Sequence, residues 1–383
     1  MDAFIHVATG ACIGWAAPQR WAGRGAAGAA VVGALLPDAD TLIAPFLNPH
    51  SGFAHRGFTH SLVGVAVLAP LAALVVWRLS REKGYARLLA LIAMGMLSHL
   101  LLDLPTPMGT VLFFPFSPDY VHLDFLGYVD WTLFLLALFV LLTVWTYSKR
   151  EAAVRRGILA AALLSSLAWW LYAEWPALAP SLAATMEEAT EVPLRTAYPL
   201  VLGGVLLVLF VALARGGWGF RQGRAVFGRF GVAAFGIYLV VCVGLQGIVL
   251  SRTQQFARER GIVVRSLVAS RMGFSSLVGP LRWTGLILAP EGVYVAQVNP
   301  FSTRAPAVAF FPSGADNLFV AKSRSLAEVQ RFVSGARFLV TRFRVEQDRR
   351  IVEYQEYGLS WRPLLRVAFD ERQEVLVAGR IKH

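Results

Sequence analysis

The run Leu88-Leu-Ala-Leu-Ile-Ala-Met-Gly-Met-Leu-Ser-His-Leu-Leu-Leu-Asp-Leu104 is apolar throughout except near its end, where His99 and Asp103 are the ionisable residues. A bilayer core needs about 20 predominantly apolar residues per spanning helix, and this run meets that requirement. Its histidine and aspartate stand four apart, so on a helix they share a face and can grip one object. A spanning helix with a paired donor set at one end therefore sets the fold class and locates the first candidate functional residues.

Outward from it, Leu62 to Leu79, Phe125 to Thr146, Leu159 to Trp175, Tyr198 to Leu213 and Phe230 to Leu250 are also long and apolar enough to span. Two shorter segments precede them: Ala3 to Ala17, and Ala26 to Leu36, which can continue past Pro37 to Leu47. The expectation is an all-α polytopic membrane bundle of about eight segments, with a re-entrant pair as the alternative for the first two. Composition agrees: the 383-residue chain is 56% hydrophobic and 16% charged, too apolar for an ordinary soluble domain. Its net charge of +12 punctuates apolar segments instead of forming a basic stripe, so no nucleic-acid partner is expected. Cys12 and Cys242 both lie in apolar segments and read as small hydrophobes. The N-terminus lacks a basic n-region, so no cleavable signal peptide is expected.

Lys and Arg in short loops set orientation. Arg78, Arg81, Lys83 and Arg87 follow the third segment; Lys149, Arg150, Arg155 and Arg156 follow the fifth; Arg215, Arg221, Arg224 and Arg229 follow the seventh; Arg20 and Arg24 join the first two. Those loops are expected in the cytoplasm. The alternate loops, Pro105 to Asp124 and Pro176 to Pro199, are poor in positive charge and are expected outside with the N-terminus.

After Leu250 the chain becomes charged, β-branched and turn-punctuated. The alternation in 293–298, 337–345, 366–369 and 374–378 predicts a small β-rich (α+β) domain. One helix is expected over Ser325 to Val333, with Ser325 as N-cap. By the same count of segments this domain is extracytoplasmic. The organisation expected is 1–150 for the site-bearing membrane module, 151–251 for additional transmembrane helices and 252–383 for the β-rich domain.

Ionisable residues cluster in the module: His6; Asp38 and Asp40; His50, His55, Arg56 and His60; His99 and Asp103; Asp119, His122, Asp124 and Asp130. Topology puts His6, Asp38, Asp40, His55, His60, His99 and Asp103 near one membrane face, and no histidine entered that topology argument. Carboxylates near hydrocarbon are costly and mark function. Imidazole and carboxylate without cysteine suit zinc first, with manganese or iron as alternatives. This many donors leave room for one to three ions and for a water that attacks near neutral pH. Arg56 can pair with a phosphate oxygen, or with Asp38, or with a lipid headgroup. His50, His122 and Asp124 taken singly read as solvated or capping groups. Phe113-Phe-Pro-Phe-Ser-Pro118 reads as an interfacial aromatic loop, with a gate over a lipid cleft as the alternative.

Four stretches carry a resemblance. Ile5-His-Val-Ala-Thr-Gly10, Leu36-Pro-Asp-Ala-Asp40, His55-Arg-Gly-Phe-Thr-His-Ser61 and Ser98-His-Leu-Leu-Leu-Asp-Leu-Pro-Thr-Pro-Met-Gly109 occur in the order found in the YdjM-type inner-membrane metal-dependent hydrolases, which the first 150 residues or so resemble. The resemblance implies a membrane-bound hydrolase whose metal ligands are His6, Asp40, His60, His99 and Asp103, with Asp38 and His55 as further ligands or orienting groups. More loosely, the order His, Asp, His, then His-x-x-x-Asp is similar to zinc-dependent phospholipase C, a multinuclear phosphoesterase class whose later ligands have no clear counterpart here.

The reaction expected is metal-assisted cleavage of an ester or phosphoester, with Arg56 and Asp38 as catalytic residues. A site at the membrane surface suggests a lipid or lipid-linked substrate in the surrounding bilayer. Two other classes fit the same residues: an ion- or proton-coupled transporter, whose path would need polar groups in both membrane halves, and a scaffold whose metal only staples helices. Neither a Gly-x-Ser-x-Gly elbow nor a Gly-Lys-Ser/Thr phosphate loop occurs, so serine-hydrolase and ATP-driven chemistry lack support. Oligomeric state is not legible.

Overall fold

Residues 3–18, 21, 25–43, 55–80, 84–127, 129–173, 194–215, 218–271, 283–314, 317–347, 349–358 and 364–381 are described by the computed structural model. His50 and residues 174–193 and 272–282 lie outside them. Eight apolar helices form in the order the hydrophobic runs predict: α1 (Ala3–Ala16), α2 (Ala26–Leu35), α3 (Leu62–Leu79), α4 (Tyr85–Asp103), α5 (Trp131–Thr146), α6 (Ala153–Ala173), α7 (Leu194–Arg215) and α8 (Trp218–Glu259). By length and composition, four described helices can cross a membrane: Leu62–Leu79, Tyr85–Asp103, Arg150–Trp170 and Gly223–Glu259. The apolar helices Ala3–Ala16, Ala26–Leu35, Trp131–Thr146 and Leu200–Leu213 are shorter. The chain divides into two compact units, and the division falls inside α8 between Cys242 and Val243.

Side chains set the helix starts. The Oγ of Ser61 accepts the Gly64 N–H at 2.9 Å and opens α3. Asp130 accepts the N–H groups of Thr132 and Leu133 at 3.0 and 3.1 Å, which starts α5 at Trp131 instead of Phe125. The same carboxylate takes a hydrogen bond from the Tyr238 hydroxyl on α8, at 3.0 Å to Oδ2. Continuation of α2 past Pro37 fails as one helix: a 3-10 turn Pro37–Ala39 and a single helical turn Asp40–Ile43 follow instead. The helix expected to stop at Leu250 runs on to Glu259 and has its break at Gly223, where φ is 67°.

Small residues let the first unit's helices approach closely, the packing that membrane interiors favour. A Cβ on Gly33 of α2 would meet the Ile92 carbonyl of α4, and one on Gly95 would meet the Ala30 carbonyl. On the other flank of α1, Gly228 and Gly231 of α8 pack against Cys12. Around these contacts Ala26, Ala30, Val65, Leu91, Ile92 and Met96 form the core. Gly95→Ala is expected to destabilise this unit by about 1–3 kcal/mol through overpacking. It should also loosen the α2–α4 contact on which His99 depends (below). Thermal unfolding of the purified variant, with its zinc content, checks both effects.

The second unit has two four-stranded antiparallel sheets. One is β1 (Ser266–Ser270), β2 (Trp283–Ala289), β3 (Gly292–Val298) and β4 (Ala307–Pro312); the other is β5 (Leu339–Glu346), β6 (Arg349–Glu356), β7 (Leu364–Phe369) and β8 (Val375–Ile381), each in sequential order. Val320 of α9 (Leu318–Arg324) and Val329 and Phe332 of α10 (Ala327–Ser334) pack on Val352, Tyr354 and Val367 of the second sheet. Ser325 does not cap α10: it ends α9, and Leu326 holds the N-cap position without a side-chain bond. Asn317 is the capping residue here, accepting from Phe319 and Val320. Glu356 accepts the N–H groups of Arg337, Phe338 and Gly358; burial nonetheless raises its carboxyl above the usual range.

Candidate metal centre

The ends of α1, α2, α3 and α4 deliver the donors. His6 lies in the first turns of α1, Asp38 in the 3-10 turn after α2, His60 in a 3-10 turn just before α3, and His99 and Asp103 in the last turns of α4. Three overlapping groups could each hold an ion: His6, Asp38 and His99; Asp38, His55 and His60; His60, His99 and Asp103, with ligand atoms within 4.8 Å of one another in each group.

Tautomers follow from the acceptors around each ring. His99 Nδ1 sits 2.7 Å from the Ala34 carbonyl, which only accepts, so Nδ1 carries the proton and Nε2 a lone pair. The Gly33–Gly95 approach is what brings that carbonyl within reach. His60 Nδ1 lies 2.9 Å from Thr59 Oγ1 and 3.3 Å from Asp40 Oδ2. Thr59 gives its own hydrogen to Asp40 at 2.6 Å. His60 Nδ1 therefore donates too, and in the neutral ring its Nε2 also presents a lone pair.

These two lone pairs face each other, with His60 Nε2 and His99 Nε2 3.2 Å apart. Asp38 Oδ1 lies 3.4 Å from His60 Nε2 and 3.5 Å from His99 Nε2; Asp103 Oδ2 lies 3.6 and 3.5 Å from the same atoms. Four electron-rich atoms converging in a buried site repel one another unless a cation joins them. Zinc ligands at about 2.0–2.2 Å in a tetrahedron are separated by about 3.3–3.6 Å. The separations among His60, His99 and Asp103, 3.2–3.6 Å, are close to those edges, so these three residues fit three corners of a tetrahedral divalent site, with Asp38 beside the two imidazoles. His60, His99 and Asp103 are buried to 1% exposure or less, whereas Asp38 is 26% exposed and is the donor that solvent reaches.

Asp40, expected as a ligand, stands outside all three groups because its oxygens are spent elsewhere. Oδ1 accepts from His55 Nδ1 at 2.8 Å, and Oδ2 accepts from Thr59 and from the Arg56 backbone N–H at 3.2 Å. Burial works to raise its pKa, but hydrogen bonds from His55, His60 and Thr59 outweigh burial and hold it below the usual carboxylate range. Ionised Asp40 thus orients two imidazoles, the carboxylate–histidine arrangement common around metals. His6 stacks on His99 with ring centroids 3.8 Å apart. Its Nε2 is 3.6 Å from Asp103 Oδ1, and neither ring nitrogen has a hydrogen-bond partner among the described residues. A fully buried imidazole in that state is the further mark of a ligand.

Arg56 is buried and pairs with Asp103, not Asp38, at 3.4 Å. It also donates to the Gly109 carbonyl at 2.8 Å and to Thr106 Oγ1 at 3.2 Å, while its Nε has no partner among the described residues. The turn Thr106-Pro-Met-Gly109 therefore offers acceptors to Arg56. Sequence reading missed Thr59, Thr106 and Thr110, which bridge donor segments; a lone threonine carries no pattern that marks such a role. Asp119 bonds Ser117, His122 bonds the Pro107 carbonyl and Asp130 caps α5, so none of the three joins a donor group.

Residues 1–180 match the family model of the YdjM inner membrane protein. Inner membrane protein YbcI of Escherichia coli (strain K12) is 36% identical over 105 residues, covering 27% of this chain. The matched stretch spans 60% of that relative's length. No solved structure matches the chain. Together with the apolar helices, these matches identify a membrane-integral protein.

Proposed function

We propose, from a YdjM-like N-terminal region built around this donor set, a membrane-embedded metal-dependent hydrolase that cleaves an ester or phosphoester. The observation that carries the reading is the convergence of His60 Nε2, His99 Nε2 and Asp103 Oδ2 at 3.2–3.6 Å, with Oδ1 of the partly exposed Asp38 3.4–3.5 Å from both imidazoles. Two histidines and one carboxylate hold the ion in known catalytic zinc sites, and a fourth position stays open to water or substrate. A divalent ion held there, zinc first by its donors, supplies Lewis acidity and a nucleophile at neutral pH.

The chain's own residues do the rest. Asp38 Oδ1 takes the proton of the attacking water and returns it to the leaving oxygen. Asp103, locked by Arg56, and His60, locked by Asp40, keep their donor atoms fixed. The Arg56 guanidinium beside Asp103 adds positive potential where negative charge develops on the substrate. The positive-inside pattern supports a site and a β-rich unit on the extracytoplasmic side.

Asp38→Asn separates catalysis from stapling. The zinc-loaded variant is expected to keep bound metal and to lose at least a hundredfold in cleavage of bis(p-nitrophenyl) phosphate or p-nitrophenyl acetate. Unchanged cleavage would remove Asp38 from the reaction. Loss of all metal, with no cleavage by wild type, would leave a structural ion.

A further inference from the structure

Three segments that carry or orient the donors also carry an outward leucine. Leu42 lies two residues beyond Asp40, Leu62 two beyond His60, and Leu101 between His99 and Asp103; they are 76%, 44% and 57% exposed. The loop after α4 adds Phe113 and Phe116, the latter 87% exposed. That loop is fastened to the site. Thr110 Oγ1 donates to the His60 carbonyl at 2.8 Å, the Leu62 N–H to the Leu112 carbonyl at 3.0 Å, and Arg56 to the Gly109 carbonyl. The two phenylalanines are thus presented on a loop bonded to the donor segments.

This rim continues a lipid-facing surface. Helix α3 starts at Leu62 and turns Val67, Leu71 and Val75 outward; α4 reaches the rim through Leu97 and Leu101, and both helices are long and apolar enough to cross a membrane. Exposed apolar residues along α3 and α4 thus extend to the ends of these helices that carry or adjoin the donors. Exposed apolar side chains around a polar site cost free energy in water and gain it in a bilayer interface. A site for water-borne substrates needs no such collar.

We infer that the centre opens at the headgroup depth of the bilayer and takes a lipid phosphoester directly from the membrane. The inference rests on the hydrolase reading above and names its substrate class. Water's oxygen bonds to phosphorus while the bond from phosphorus to one ester oxygen breaks. The proton that water gives up passes by way of Asp38 to that ester oxygen, which leaves as a hydroxyl. One water is consumed, and the acyl-bearing product stays in the bilayer. The positive potential of Arg56 beside the donors favours an anionic phosphate ester over a neutral carboxylic ester.

Two measurements on the full chain in nanodiscs of phosphatidylethanolamine and phosphatidylglycerol test this. In the first, Phe116→Cys carries an environment-sensitive fluorophore, Cys12 and Cys242 being buried. A nitroxide on the lipid headgroup or upper acyl chain should quench it severalfold more than a water-soluble nickel chelate does; the reverse order would overturn the inference whatever the activity. In the second, zinc-loaded protein is offered phosphatidylglycerol with a fluorescent acyl chain, in the bilayer, and bis(p-nitrophenyl) phosphate in water. The double variant Phe113→Ser and Phe116→Ser should lose tenfold or more on the lipid and little on the soluble ester. Cleavage of the soluble ester alone by wild type overturns the lipid inference and spares the hydrolase reading. Cleavage of neither, with zinc bound, ends both.

Discussion

His99→Ala is expected to lower zinc affinity by about two powers of ten. Binding to a structural zinc site is worth about 10–16 kcal/mol, so one of four ligands carries roughly 3 kcal/mol. His99 has added weight because two of the three donor groups depend on it: it is shared by His6–Asp38–His99 and His60–His99–Asp103. Asp40→Asn is the comparison that gives the number meaning. It removes no donor atom of those groups but weakens the acceptor that holds His55 and His60, and should cost 10- to 100-fold. Competition titration with a zinc chelator on detergent-purified protein measures both. Equal affinity for wild type and His99→Ala would place the ion elsewhere or nowhere.

Arg56→Met should be the most damaging change to the fold of the site. Its guanidinium is the cation against Asp103 in a buried environment, and removing one partner of a buried ion pair costs about 3–5 kcal/mol. The same side chain fastens the turn at Thr106 and Gly109. Two results are expected: a thermal unfolding temperature several degrees lower for the metal-free protein, and a partial recovery when zinc is added, since the ion supplies the positive charge that Asp103 has lost. Arg56→Lys keeps the charge without the fork and should recover part of the stability. If metal-free Arg56→Met unfolds with wild type, Arg56 is not what neutralises Asp103.

The helices of the first unit were legible because each is one long apolar run with a clear start: Leu62–Leu79 follows the Ser61 cap and ends before Ser80. The donor residues were legible because charge is rare there. What the sequence could not divide was the labour of Asp38 and Asp40. Two aspartates two residues apart point different ways only because Pro37 stops α2 and starts a 3-10 turn, and that rotation is a backbone detail below the resolution of pattern. In the second unit the alternating strands β3, β5, β7 and β8 were readable. β2 was not, since all but one of its residues is buried and alternation vanishes. α9 escaped because its cap, Asn317, precedes only a single short amphipathic stretch. The side of the membrane rests on loop charges alone.

The hydrogen bond between Asp130 and Tyr238 also bears on how the chain is made. The two residues are 108 positions apart, a distance a ribosome covers in roughly 5–20 s. Gly228 and Gly231, which back α1 at Cys12, come off the ribosome in that same interval. Every donor of the candidate metal centre is therefore synthesised well before the helix that braces the segment carrying His6. The N-terminal helices pass through a period of assembly without that brace, and a chain interrupted before residue 238 remains in it.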